Sequence, residues 1–145
     1  MEYNFYGWKD ANVLAVDTRF SGKTPRDLYD ELSDVWCEYT CAPRLREKWS
    51  KENKTCGQCS ITAFLMQDIF GGKVYGIKVK GATHCFNNVN GCIFDLTSEQ
   101  FGDEAKNLDY ENCEEQSRDI HFSKEEKKAR YEYLKEGLIR RNENK

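Results

Sequence analysis

The sequence predicts an α+β chain, on three observations. Apolar residues recur at helical spacing in three separate stretches, a period-two run follows the second of them, and an Asn-Gly pair sits between two β-prone segments. At 145 residues, one domain is expected, because a chain of this size buries about 68–70% of the surface it exposes unfolded. Residues 23–145 read as the core of that domain and 1–22 as an added arm or strand, with Val13-Leu14-Ala15-Val16 its one apolar run.

Thr24-Pro25-Arg26-Asp27 marks the first helix start. Thr24 serves as N-cap, Pro25 occupies the first helical position where its missing N–H is no loss, and an acid lies in the first turn. Leu28, Leu32, Val35, Trp36 and Tyr39 then form one apolar stripe, predicting a helix that ends near Pro43. The charged run 44-RLREKWSKENK-54 reads as a short helix or loop anchored by Trp49. In 57-GQCSITAFLMQDIFGG-72, Ile61, Phe64, Leu65 and Ile69 share a helical face and Gly71-Gly72 supplies the left-handed exit, so Cys59 falls at the helix start.

From Lys73 the period becomes two, with Tyr75, Ile77 and Val79 on one side of a strand that turns at Gly81. The stretch 83-THCFNNVNGCIFDLT-97 reads as a β-hairpin around Asn90-Gly91. A two-residue loop makes His84 the diagonal neighbour of Asp95, and a four-residue loop sets them opposite; either puts both on one face, whereas a three-residue loop separates them. Residues 102–119 read as an acidic surface excursion. Ser123-Lys124-Glu125-Glu126 has the form of a capping box opening a helix with Tyr131, Leu134 and Leu138 as its stripe, and the end RRNENK is expected to fray.

Lys and Arg number 22 against 25 Asp and Glu, mixed along the chain. Nucleic acid is excluded as an expected partner, since phosphate binding needs a basic face. The start MEYNFYGWKD has neither a basic n-region nor an apolar h-region, and no apolar run approaches the ~18 residues of a membrane span. The expectation is a cytoplasmic protein with no membrane partner. Seven cysteines, an odd number without a signal peptide, argue for reduced thiols rather than a disulfide framework, most of them packed as small hydrophobes.

Cys56 and Cys59 admit three readings. As a C-x-x-C at a helix N-terminus they match a redox motif, but 44–55 is not the buried strand that should precede one. With Cys37 and Cys41, four apart on one helical face, they would make C-x3-C, fourteen residues, C-x2-C, a tetrahedral zinc set; the plain alternative is that Cys37 and Cys41 are core positions beside Trp36. The third reading takes Cys59 alone as a nucleophile. A helix N-terminus and an imidazolium together depress a thiol pKa, His84 would supply the imidazolium, and Asp95 would fix the ring and stabilise its charge. Asp95 lies among Ile93, Phe94 and Leu96, where a buried carboxylate wants a partner. His121, the other histidine, reads as a surface residue and the rival base.

The runs 57-GQCSITAFLMQDIFGG-72, 83-THCFN-87 and 95-DLTSEQF-101, with 48-KWSKEN-53 and 130-RYEYL-134, resemble the YunG-like proteins, an uncharacterised bacterial family, and more distantly the papain-like and transglutaminase-like cysteine enzymes. The resemblance covers about Leu28 to Leu138. It implies a helix carrying Cys59 packed on a small antiparallel sheet, His84 and Asp95 on neighbouring strands, and N- and C-terminal helices around this core. Papain-like enzymes also place an oxyanion glutamine before the nucleophile; Asn53 and Gln58 stand nearest that place, with the Cys59 N–H and Asn87 as further oxyanion or substrate-binding candidates.

The expected function is therefore a cysteine hydrolase or acyltransferase acting through Cys59, His84 and Asp95 on an amide or ester carbonyl. Its substrate would be a small molecule, peptide or protein, and it would need no cofactor or metal. The alternatives are a non-catalytic binding module on the same scaffold and a thiol-redox protein using Cys56 and Cys59, with Cys56 able to resolve an oxidised Cys59.

Overall fold

The computed structural model of the protein describes residues 3–143. Helix α1 (Pro25–Ser33) begins as the sequence requires: the Asp27 carboxylate accepts the Thr24 N–H at 2.9 Å, and Pro25 opens the first turn. It ends well before Pro43. The chain leaves the helix at Asp34-Val35, so Tyr39 is exposed and Cys37 and Cys41 do not share a helical face, which removes the premise of the four-cysteine zinc set. Trp36 still enters the core, donating its indole N–H to the Thr62 hydroxyl at 3.0 Å.

A short 3-10 helix, Pro43–Lys48, leads to Trp49, which anchors the loop by donating to the Lys54 carbonyl at 2.9 Å. Helix α2 (Cys59–Phe70) follows, and it is apolar almost all round because it is covered on several sides. Strands β1 (Lys73–Val79), β2 (Ala82–Val89), β3 (Cys92–Phe94) and β4 (Glu114–Glu115) make one antiparallel sheet ordered β3-β2-β1-β4. Val89 pairs with Cys92 across Asn90-Gly91, so the hairpin has its two-residue loop. Asn90 and Gly91 both adopt positive φ (53° and 91°), as such a tight turn demands.

The two sheet faces do different work. Val74, Cys85, Val89 and Phe94 pack on α2 in the main core, where each fully buried Leu or Ile side chain contributes about 1.5–3 kcal/mol relative to exposure. Tyr75, Ile77, Phe86 and Ile93 face the other way and are covered by Leu108 and Tyr110. The segment 102–119, expected to be a surface excursion, thus supplies a second small core, the edge strand β4 and the start of helix α3 (Arg118–Phe122).

Helix α4 (Glu125–Glu143) buries Tyr131, Leu134 and Leu138, the stripe read from sequence. The capping box is not formed: Ser123 ends α3 instead, its hydroxyl donating to the Ile120 carbonyl at 2.6 Å, while Glu126 pairs with Arg130 at 2.6 Å. Nor do residues 140–143 fray. Arg141 binds Asp34 at 2.6 Å and Asn142 donates to Glu31 at 2.6 Å, tying the helix end to α1; 144–145 lie outside the described residues.

Residues 3–22 form an irregular arm with two 3-10 turns (Trp8–Asp10 and Thr18–Phe20) and no strand over Val13–Val16. Phe5, Ala11 and Phe20 are buried in the main core, and the Val16 N–H reaches the Ile69 carbonyl at 2.7 Å. The Tyr6 carbonyl accepts the Asp95 N–H at 3.0 Å, so the arm continues the pairing at the end of β3.

Candidate active site

Asp95 lies just past β3, and the hairpin register carries it to the face of the sheet that holds His84. The His84 Nε2 to Asp95 Oδ2 distance is 2.6 Å, with both side chains almost fully buried. The carboxylate is held from every side. Tyr110 donates its hydroxyl to Oδ2 at 2.7 Å, and Oδ1 accepts the Thr97 N–H at 3.2 Å and the Thr97 hydroxyl at 3.4 Å. Tyr110 is fixed in turn by stacking on Tyr6 at 3.8 Å and by an edge contact with Phe86 at 4.9 Å. Phe101 closes over the imidazole, edge to face at 4.8 Å.

With Nε2 bound to Asp95, Nδ1 is the ring nitrogen left over, buried and without a hydrogen-bond partner among the described residues. Cys59, at the first position of α2 and partly exposed, interacts with this ring, and its sulfur is 3.9 Å from the Thr83 carbonyl oxygen. The Cys85 thiol, hydrogen bonded to the Cys59 sulfur, holds the Cys59 thiol well below its ordinary pKa; burial opposes the shift, and His84 adds to it. Cys85 moves the opposite way for the same reason, its proton being the one donated. Burial pulls the His84 pKa down, but the Asp95 charge and hydrogen bond outweigh it, with help from Cys59, and push it up to about 10. A thiolate beside an imidazolium is the charge state this arrangement favours near neutrality.

The structure therefore brings Cys59, His84 and Asp95 together, and adds two residues that sequence reasoning passed over. Cys85 falls among the cysteines expected to pack as small hydrophobes, and strand alternation places it on the face opposite His84 and toward α2. Tyr110 comes from a segment without a period and carried no signal. The other candidates sit elsewhere in function. Gln58 is fully buried and its Nε2 donates to the Cys37 carbonyl at 3.1 Å; Asn87 donates to the Ala63 carbonyl at 2.8 Å. Both amide nitrogens are committed to backbone, while Gln58 Oε1 is buried without a hydrogen-bond partner among the described residues. Asn53 is half-buried in a tight turn, its carbonyl accepting the Cys56 N–H at 3.2 Å.

Cys56 turns away from Cys59. Its thiol approaches the Leu45 carbonyl at 4.0 Å and accepts a hydrogen bond from the free Cys41 thiol, whose pKa is pushed to about 12 by burial and by that neighbour. Among the described residues no group of three or more His, Cys, Asp or Glu is placed to hold a metal ion. Gly57 forms the approach to Cys59 with φ +68°, and its N–H donates to the Gln100 side chain at 3.2 Å. Two surface hollows, about 390 Å³ between the end of α1 and α4 and about 590 Å³ between the arm and the hairpin tip, are lined by neither Cys59 nor His84.

Residues 24–143 match the YunG protein family. The chain belongs to the YunG family. It is similar to the uncharacterized protein YunG of Bacillus subtilis (strain 168), with 33% identity over 109 residues, covering 75% of this chain and 86% of that one. No solved structure matches. Membership extends over all four helices and the whole sheet and leaves out the arm, yet the arm supplies the Tyr6 contacts that back Asp95 and Tyr110. Among the described residues no helix is long and apolar enough to cross a membrane.

Proposed function

We propose that this YunG-family chain is a cysteine hydrolase or acyltransferase acting on an amide or ester carbonyl, with Cys59 as nucleophile, His84 as acid and base, and Asp95 as the group that orients the ring. The observation that carries the reading is the buried 2.6 Å bond from His84 Nε2 to Asp95, with the Cys59 thiol acting on the same ring. The core would then be a papain-like or transglutaminase-like arrangement within one domain.

The Cys59 thiolate attacks the carbonyl carbon, forming a C–S bond and moving the π electrons to oxygen. Collapse expels the amine or alkoxide, which takes the proton from His84 Nδ1, and leaves an acyl-enzyme. Water or an amine then attacks that thioester, giving its proton to Nδ1 and restoring the thiolate. The oxyanion would be met by backbone N–H groups in the first turn of α2, which have no carbonyl partner within the helix, with the Asn53 side chain as a second donor. Gln58, already bound to Cys37, serves to fix the turn before Cys59.

Site-resolved iodoacetamide labelling against pH tests the ion pair. The expected Cys59 midpoint lies well under the ~8.5 of a free thiol and rises in His84→Ala. An ordinary midpoint that ignores His84→Ala would sink the proposal.

A further inference from the structure

A second polar chain starts near Thr83, whose carbonyl oxygen lies 3.9 Å from the Cys59 sulfur. Gln116 follows β4 and is held by its N–H on the Val74 carbonyl at 2.8 Å. Its side-chain amide lies beside Thr83, the residue whose carbonyl Cys59 approaches. A Cβ added at Gly76 would sit 2.5 Å from Thr83 Cγ2 and 2.6 Å from Gln116 Nε2, so the absence of a side chain at Gly76 is what lets Gln116 take this place. Gln116 Oε1 accepts from His121 Nε2 at 3.0 Å, and His121 Nδ1 accepts from the Lys127 ammonium at 2.9 Å. The His121 ring rests on Phe64 of α2, with centroids 5.1 Å apart.

His121, expected to be a surface residue and rival base, is thus a half-buried prop. Burial and the adjacent ammonium press its pKa down to about 4. It stays neutral, with its proton on Nε2 and a lone pair aimed at Lys127. Lys127 is itself half-buried, and among the described residues it pairs with no carboxylate; neighbouring Glu126 is engaged by Arg130 and Arg46. The charges that act on it are Lys124 and Arg130, which repel it, and the thiols of Cys85 and Cys59. A half-buried cation that bonds to a neutral imidazole and pairs with no carboxylate is poised to take one.

We infer that Lys127 is a substrate-binding residue of the Cys59 site, held by His121 and Gln116 to receive a carboxylate carried by the acyl compound that Cys59 attacks. This rests on the reading of Cys59 as nucleophile. It narrows the substrate class to amides or esters bearing an anionic group near the scissile carbonyl.

Two alkylating probes of similar size, iodoacetate and iodoacetamide, differ in that charge. The quantity to measure is the ratio of their Cys59 labelling rates, resolved by peptide mass, because the thiolate fraction cancels in it. Relative to wild type, Lys127→Gln should lower the ratio about three- to tenfold at low salt, and Lys127→Arg should keep it within about twofold. Raising salt to about 1 M should shrink the difference between wild type and Lys127→Gln. An unchanged ratio in Lys127→Gln, with iodoacetamide still reacting rapidly, overturns the role of Lys127 and leaves the nucleophile intact. Cys59 reacting with neither probe faster than an ordinary thiol overturns both.

Discussion

Replacing Cys85 by alanine isolates the largest influence on the Cys59 thiol. The Cys85 side chain packs on the α2 face of β2 and hydrogen bonds to the Cys59 sulfur, while His84 and Asp95 lie on the other face of the sheet. A hydrogen bond to an ionised acceptor is worth about 1.5–3 kcal/mol, a thiol being a weak donor at the low end of that range. Since 1.36 kcal/mol corresponds to one pKa unit, Cys85→Ala should raise the Cys59 midpoint by about one unit. Iodoacetamide labelling at a pH below both midpoints should then slow about tenfold. Cys85→Ser keeps a donor of similar size and should hold the midpoint near or below that of wild type. The reasoning is refuted if the alanine variant retains the wild-type midpoint, or if serine and alanine shift it equally, which would make the effect one of packing.

The proposed Cys59–His84 ion pair also sets how stability should respond to pH. The folded His84 pKa is raised from 6.5 to about 10, so its contribution is whole below 6.5 and is lost as pH rises toward 10; the folded Cys59 pKa is depressed from 9.0, so its contribution is whole above 9.0 and is lost as pH falls. Between these limits folded and unfolded chains each hold one proton on the pair, and the two slopes cancel. Cys59→Ala removes one of them, so urea midpoints should show it losing about 1.4 kcal/mol per pH unit relative to wild type as pH rises from 7; parallel curves for the two proteins contradict the pairing. Gly57→Ala should destabilise the fold by more than about 1 kcal/mol, because φ is +68° and the new Cβ would lie 2.5 Å from the Cys41 sulfur and 2.9 Å from the Ala42 nitrogen. A thermal midpoint within a degree of wild type would count against the strain at that turn.

Local pattern carried most of the fold. The starts of α1 and α2, the β1–β2–β3 meander and the stripe of α4 depend on spacings of a few residues and on turn chemistry at Asn90-Gly91, all legible in the chain. Where tertiary contacts intervened, local rules failed. The apolar spacing of Val35, Trp36 and Tyr39 continues a helical stripe, yet the helix stops at Ser33 and the chain opens out, with Arg46 capturing the carbonyls of Glu38, Tyr39 and Cys41. The Ser123 box met the end of α3 rather than the start of α4.

For the site, the sequence by itself determined that Cys59 opens a helix and that a two- or four-residue loop at Asn90-Gly91 would set His84 and Asp95 on one sheet face; the pairing of Val89 with Cys92 in the folded chain selected the two-residue loop. Tertiary structure alone decided which thiol is the partner of which. Cys56, three residues from Cys59 in sequence, turns to Cys41, and Cys85, twenty-six residues on, meets Cys59 because α2 crosses the sheet there. Tyr110 on Asp95 and Lys127 on His121 come likewise from segments that reach their partners only through packing. Such contacts join residues far apart in the chain, and no local periodicity encodes them.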